Sequence, residues 1–200
     1  MQLVIDSATA ACSAALLAPD GSVMDQRHEI VGRGHAERLL PMIADLLGGR
    51  IPTSILVDCG PGSFTGLRVG LAAAHGLAIG WKVPLAGYSS LALIAAASGE
   101  TEVAVALVGG HGELFVQDYG GDPIAPLDDL RSLPTTEAAA SVTASTVLGS
   151  GAEALVAARG FGRWRDALPR AADAGALPPG LRNLAPRPIY GRTPDARPMP

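Results

Sequence analysis

The sequence predicts an α/β protein of two lobes, on three observations. The opening reads as three short strands joined by turns; helices and strands then alternate to about residue 97; and at residue 102 a strand and hairpin begin again. The break at Ser98-Gly99-Glu100 divides the chain into a first lobe of residues 1–99 and a second, reduced lobe of residues 100–200. Two hundred residues, 48% hydrophobic and 17% charged, are enough for a sizeable core.

Leu3-Val4-Ile5 reads as a buried strand running into the small polar turn Asp6-Ser7-Ala8-Thr9. Residues 11–17 form the second strand, Pro19-Asp20-Gly21 turns the chain, and a third begins at Ser22. Leu39, Leu40, Ile43, Leu46 and Leu47 lie at helical spacing, so a helix is expected over residues 36–47 with Gly48-Gly49 as its stop. Pro41 lies inside it. A proline there loses a hydrogen bond and crowds the preceding turn, so the helix either starts near Leu40 or bends. His35 reads as a cap or packing residue rather than a ligand.

Residues 54–81 are the stretch around which the rest is organised. Ile55-Leu56-Val57 reads as a strand that Gly60, Pro61 and Gly62 end sharply, with a helix from about Thr65 and Ser63 or Thr65 as its N-cap. Gly60, Pro61, Gly62, Ser63 and Gly66 therefore read as a structural turn that lets the helix lie close on the sheet. Beyond it, Gly70, Ala72, Ala73, Ala74, Gly76, Ala78 and Gly80 alternate with Leu67, Val69, Leu71, Leu77 and Ile79, and only Arg68 and His75 are polar. Each interior glycine costs about 0.5–1 kcal/mol relative to alanine, so close packing on more than one side is expected. By spacing, Leu39, Ile43, Leu67, Leu71, Ala74 and Ala78 are assigned to a partner surface. A fifth strand at residues 84–88 and a helix at 89–97 close this lobe.

In the second half a strand from Glu102 is joined through Gly109-Gly110-His111-Gly112 to a second at residues 113–119. A proline-interrupted stretch, a short helix at 135–140, the strand Thr146-Val147-Leu148 and the turn Gly149-Ser150-Gly151-Ala152 opening a helix come next. Residues 178–200 hold seven prolines, which excludes continuous regular structure; Ile189 and Tyr190 are expected to dock and the last residues to move.

The run Gly60-Pro61-Gly62-Ser63-Phe64-Thr65-Gly66-Leu67-Arg68-Val69-Gly70 resembles the signature of the TsaB (YeaZ) family, the partner subunit of the bacterial machinery that makes threonylcarbamoyladenosine on tRNA. Gly34-His35-Ala36-Glu37-Arg38-Leu39-Leu40-Pro41-Met42-Ile43 is similar to that family's second characteristic stretch. Arg187-Pro188-Ile189-Tyr190-Gly191-Arg192 resembles its closing Pro-x-Tyr-x-Arg, with Gly191 where an apolar residue is usual.

The resemblance implies the actin-like ATPase (ribonuclease H-like) fold. It would put Asp6, Ser7 and Thr9 at a phosphate-facing turn, and Gly149 and Gly151 in a turn that holds adenosine. It implies a non-catalytic subunit that binds a TsaD-type catalytic subunit, works beside a TsaE-type ATPase and serves tRNA indirectly. That subunit is required for threonylcarbamoyl transfer to N6 of adenosine 37 in tRNAs reading codons that begin with A. Self-association through the same helices is implied when the partner is absent. No cofactor of its own is implied, ATP or ADP belonging to the complex.

The residues themselves narrow the chemistry. No lysine follows Gly60 at P-loop spacing, and Pro61 stands where a nucleophile elbow needs glycine. What remains is a helix N-terminus whose free N–H groups could hold an anion. The magnesium-positioning acid of the second hairpin would fall at Val108, and the two metal-ligating histidines of the TsaD-type subunit would fall at Ser90 and Ile94. Catalytic and metal residues are accordingly expected to be none. The alternative is an actin-like-fold small-molecule kinase or hydrolase, which ATP turnover by the purified chain would reveal.

Cys12 and Cys59 read as reduced, buried residues. No run reaches the roughly 20 apolar residues that span a bilayer and no basic, then apolar, leader is seen, so a cytoplasmic protein without membrane contact is expected. The net charge of −4 is uneven: residues 101–158 carry eight acids and only Arg131, whereas residues 159–200 carry eight arginines and three aspartates. The basic tail is read as lacking interleaved aromatics, which favours packing against the acidic segment over contact with RNA.

Overall fold

The computed structural model describes residues 1–191. Strands β1 (Gln2–Asp6), β2 (Ala11–Leu17) and β3 (Val23–Ile30) make the antiparallel meander. Helix α1 (His35–Leu47), strand β4 (Ser54–Asp58), helix α2 (Phe64–Trp81), strand β5 (Leu85–Tyr88) and helix α3 (Ser90–Ala97) follow. The sheet order is β3-β2-β1-β4-β5, with β4 parallel to both β1 and β5. Helix α1 starts well before Leu40 and runs through Pro41. Both Pro41 and Glu37, whose carbonyl loses its donor, are exposed, so water can satisfy the acceptor and the helix need not stop there.

The second half repeats this plan. Strands β6 (Glu102–Gly110) and β7 (Glu113–Gly120) form a hairpin, with β8 (Ala125–Pro126) and β9 (Arg131–Pro134) both pairing with β7. Helix α4 (Thr135–Ser141), strand β10 (Thr146–Leu148), helix α5 (Ala152–Arg159) and strand β11 (Arg163–Arg165) complete it. The order β11-β10-β6-β7 with β8 and β9 beyond mirrors β5-β4-β1-β2-β3 strand for strand. This lobe is therefore reduced in helix length, not in strands: α4 and α5 have 7 and 8 residues where α1 and α2 have 13 and 18. Strands β8, β9 and β11 escape sequence reading because two to four residues are too short to show alternation.

Alternation along the strands builds a layered core. On the first sheet Leu3, Ile5, Ala14, Leu16, Ile55 and Val57 face α1 and α2, while Val4, Ala15, Leu17 and Leu56 face the other way. On the second, Ala104, Ala106, Val116 and Val147 meet α4 and α5, and Val103, Val105, Leu107 and Leu148 face inward. Helix α3 lies between the two sheets, which is why it is apolar all round: Leu91, Ala92, Leu93, Ile94 and Ala95 are all buried.

The division at residue 100 is not kept by the last part of the chain. Short 3₁₀ turns at Ala171–Ala176 and Pro179–Leu181 bring it back across the first sheet. The Ala171 N–H donates to Ser13 Oγ (2.9 Å), Leu184 forms an antiparallel bridge with Gly87 at the β5 edge, and the Ile189 N–H donates to the Cys59 carbonyl (2.7 Å). Ile189 docks against the core as expected, whereas Tyr190 stays 53% exposed; Arg192 and the residues after it lie outside the described part.

Helix α2 approaches β1 more closely than side chains allow. A Cβ on Gly66 would collide with the Ser7 carbonyl oxygen, and one on Gly70 with Ser7 Oγ, whereas Gly76 has open space where a Cβ would go. Gly66→Ala should therefore lower stability by about 3 kcal/mol, while Gly76→Ala raises it by about 0.5–1 kcal/mol through helix propensity alone. Thermal melts of the two variants check this; equal effects would mean that α2 does not seat on the Ser7 turn.

Candidate functional site: a cleft between two hairpins

The turn after β4 is built to bring backbone against backbone. The Gly60–Pro61 peptide is cis, and Gly60 has φ +91°. A Cβ on Gly62 would strike the Ala8 carbonyl oxygen, which accepts the Ser63 N–H at 2.5 Å. Ser63 caps α2, its Oγ accepting from the Gly66 N–H (3.3 Å), and the Ser7 hydroxyl donates to the Gly66 carbonyl (2.9 Å). Gly60, Pro61, Gly62, Ser63 and Gly66 thus lock the first hairpin turn to the start of α2.

Below this lock lie two acids. Asp6 and Asp58 end the adjacent parallel strands β1 and β4, and both are buried. The Tyr88 hydroxyl donates to Asp6 Oδ2 (2.8 Å), and Asp58 Oδ1 accepts from the Ser90 hydroxyl (2.8 Å) and the Gly60 N–H (2.9 Å). Asp6 Oδ1 and Asp58 Oδ2 have no partner among the described residues. Burial raises the Asp6 carboxyl to about 6, and burial followed by repulsion from Asp6 raises that of Asp58 well above the usual range. Burial, with Asp58 adding to it, pushes the Cys59 thiol up to about 12, and burial pushes Cys12 to about 11, so neither is a thiolate at neutral pH.

Above the lock is a cleft of about 990 Å³. Ala8, Thr9 and Ala10 from the first hairpin turn face Val108, Gly109, Gly110 and His111 from the second, with Phe64, Arg68 and Tyr190 at one end and Arg33, Ser150 and Leu168 completing the wall. The Arg68 guanidinium lies 3.6 Å over the Phe64 ring and donates to Tyr190 Oη (3.1 Å). Among the described residues lining it there are two arginines and no carboxylate. Such a lining suits an anion with an apolar or aromatic part; His111 brings the one imidazole of the described lining, and there is no carboxylate set for a hard cation.

The proposed nucleotide residues are not brought together. Thr9 lines the cleft, but Asp6 and Ser7 do not, Asp6 Oδ2 accepting from Tyr88 and the Ser7 hydroxyl donating to Gly66. Gly149 and Gly151 do not line it either. A Cβ on Gly149 would collide with the Ala106 carbonyl oxygen, which accepts the Gly151 N–H (2.9 Å), so this turn splices β10 into the second hairpin. Only Ser150 reaches the cleft, its Oγ accepting the Val108 N–H (3.2 Å). Sequence reading missed Arg33, Arg68 and Tyr190 here because nothing local in the sequence shows that three distant segments meet. Ser90 and Ile94, at the positions of the TsaD-type metal ligands, are buried on α3.

The six residues assigned to a partner surface need correction. Leu39, Ile43, Leu67, Leu71, Ala74 and Ala78 are all buried, packed with Leu3, Ile5 and Ile55. A helix with no polar face carries no signal for which side meets the sheet, and the spacing rule found the inward one. The outward face of α2 carries Ala72, Gly76, Ile79 and Gly80, with Ile79 77% exposed, and that of α1 carries Leu40, Pro41 and Ala44. His35, by contrast, is a packing residue, buried with Nε2 3.1 Å from the Ala11 carbonyl oxygen.

A carboxyl that is harder to ionise in the folded chain stabilises the fold below its unfolded value, about 3.9, and loses that contribution as pH rises through the raised value. Stability should thus fall from about pH 4 through about pH 6 as Asp6 ionises, with the loss from Asp58 continuing as pH rises through its own raised value. Asp58→Asn keeps an acceptor for Ser90 and Gly60 and removes the repulsion, so its melting temperature should exceed the parent's at about pH 7.5 and match or fall below it at about pH 4. An unchanged pH profile would sink this account of the pair.

The family model for TsaD, the tRNA N6-adenosine threonylcarbamoyltransferase, matches residues 26–125. The tRNA threonylcarbamoyladenosine biosynthesis protein TsaB of Escherichia coli K12 is 40% identical over 129 residues, 60% of this chain and 55% of that protein. The chain spans about half the length of the curated relatives it matches. A solved structure from Pseudomonas aeruginosa, described as an uncharacterized protein with similarity to peptidase YEAZ, superposes with a TM-score of 0.82 at 28% identity, covering 96% of this chain and 99% of that one. The ethanolamine utilization protein EutJ of Carboxydothermus hydrogenoformans, at 13% identity and a TM-score of 0.52 over 88% of each chain, shares the fold alone. With the GPGSFTGLRVG turn seated on an actin-like pair of sheets and half of its length matched by the TsaD-type model, the chain belongs to the TsaB (YeaZ) family.

Proposed function

We propose that this chain is a non-catalytic partner subunit in the synthesis of threonylcarbamoyladenosine on tRNA, and that it docks on a TsaD-type catalytic subunit through the outward faces of α1 and α2. The observation that carries the reading is the state of two glycines. Gly76 and Gly80 stand four residues apart on the exposed side of α2 with nothing within 4 Å of a notional Cβ, so unlike Gly66 and Gly70 they earn no close contact within the chain. Small residues at this spacing let a second helix approach to backbone distance, and Ile79 beside them supplies an apolar anchor. The family's name and the TsaD-type model support the choice of partner. The same face would serve a second copy of the chain when the partner is absent.

The cleft's described lining holds arginines, hydroxyls and one imidazole, that of His111, but no carboxylate to pair with it or to hold a metal, which supports the non-catalytic part of the reading. Nucleotide at the level of the complex, a TsaE-type ATPase and indirect service to tRNA belong to the same proposal.

The test is reconstitution with a TsaD-type subunit, the pathway's other components, ATP and unmodified tRNA, scoring the modified base. Omitting this chain should abolish the product, and the chain alone should not turn over ATP. Gly76→Arg and Ile79→Arg, at exposed positions, should leave the melting temperature within about 1 kcal/mol of the parent in stability terms while lowering recovery of the TsaD-type subunit in a pull-down at least tenfold. Full recovery with both variants would remove α2 from the interface, and ATP turnover by the chain alone would favour a kinase or hydrolase.

A further inference from the structure

The two sheets end differently at topologically equivalent edges. The β5 edge of the first sheet is covered, with Leu184 bridging to Gly87 and both backbone bonds made (2.8 and 3.0 Å). Its counterpart β11 pairs with β10 alone among the described residues, and Arg163, Trp164 and Arg165 are all exposed. Trp164 is 47% exposed and Phe161, in the turn before it, 57%; two large aromatics standing in solvent beside an uncovered edge are an unusual use of apolar surface.

The side chains are sorted by the pleat. Trp164 is in register with Val147, which faces α5, whereas Arg163 and Arg165 align with Thr146 and Leu148 on the opposite face. Arg163 donates to Thr146 Oγ1 (3.3 Å), and Arg165 has no hydrogen bond or ion pair from its side chain among the described residues. Phe161 is steadied from behind by the Arg159 guanidinium, 4.4 Å from its ring centroid, which also donates to the Phe161 carbonyl (2.9 Å) and to that of Val142 (3.2 Å). The tail packs on residues 101–158 through β11 on β10 and through Arg159 and Arg163, but none of Arg159, Arg163, Arg165, Arg170, Arg182 and Arg187 forms an ion pair with the acids of that segment among the described residues. Phe161 and Trp164 are interleaved with these arginines, which corrects the expectation of a tail without such aromatics.

We propose that this β11 edge is a binding surface for single-stranded RNA, such as an unpaired loop of the tRNA that the proposed function serves. Bases stack on Trp164 and Phe161, whose faces accept any base, and the phosphates cross the edge toward Arg163 and Arg165. Charge decides between RNA and a peptide strand: residues 159–165 hold three arginines and no acid, and three residues of strand are a short template for β-pairing.

The site is tested apart from the partner interface. Fluorescence anisotropy of a labelled single-stranded RNA of about 12 nucleotides with the full chain should show binding that weakens with salt, with quenching of tryptophan emission. Trp164→Ala should weaken binding about tenfold and remove most of the quenching, and Arg165→Ala should lower the salt slope by about 0.7. Arg165 supports no contact whose loss would unfold the chain, so its variant stays informative if Trp164→Ala melts. Both variants should still retain the TsaD-type subunit in a pull-down, which separates failure here from failure of the docking reading. RNA binding unaffected by either substitution would overturn the proposal, as would quenching of Trp164 by an acidic peptide but not by RNA.

Discussion

The contact on which the rest of this structure depends is the seating of one helix on one turn without intervening side chains. Ala8 and Ser7 present carbonyl oxygens to Gly62 and Gly66, and Ser7 its hydroxyl oxygen to Gly70, where the glycines present only hydrogens, and the Ser63 N–H and Ser7 hydroxyl close hydrogen bonds across the gap. Any Cβ at Gly62 or Gly66 would meet backbone, which cannot swing aside as a flexible side chain does. The order of the glycines is therefore an instruction about distance. It fixes the height of α2 above β1 and, through the cap at Ser63, the direction in which the helix leaves.

Three features follow from that seat. The rotation of α2 sends Leu67, Leu71, Ala74 and Ala78 inward and leaves Gly76, Ile79 and Gly80 outward. The N-terminus of the helix carries Phe64 and Arg68 to the mouth of the cleft, where Tyr190 meets them from the far end of the chain. The turn also roofs the Asp6 and Asp58 carboxyls, and the resulting desolvation is the largest cause of their raised values. Tyr88 and Ser90 each donate to one oxygen of one acid, so the end of β5 and the start of α3 belong to the same construction.

The second lobe repeats the plan with a different solution at the same place. Its turn at Gly149 and Gly151 also brings backbone close, here against the Ala106 carbonyl. With helices about half as long, this lobe covers its sheet less fully, and the chain spends its last described residues on the first sheet's edge instead of the second's. The uncovered strand is the one that carries the exposed aromatics and arginines.

By itself the sequence determined the alternation of strands and helices, because burial at periods of 2 and 3.6 is written residue by residue, and the glycine turn, because only glycine tolerates its approach distances. It also determined the family, since an eleven-residue run is specific without any coordinates. Tertiary structure alone decided which side of α2 is outside: a helix of alanine, glycine and leucine has no polar stripe from which to read its phase. It decided as well that Gly149 and Gly151 splice strands, and that Arg33, Arg68 and Tyr190 share a cleft, because those contacts join segments far apart in the chain. The three-residue β11 and the openness of its edge came from pairing across the sheet, which no window of three residues can show.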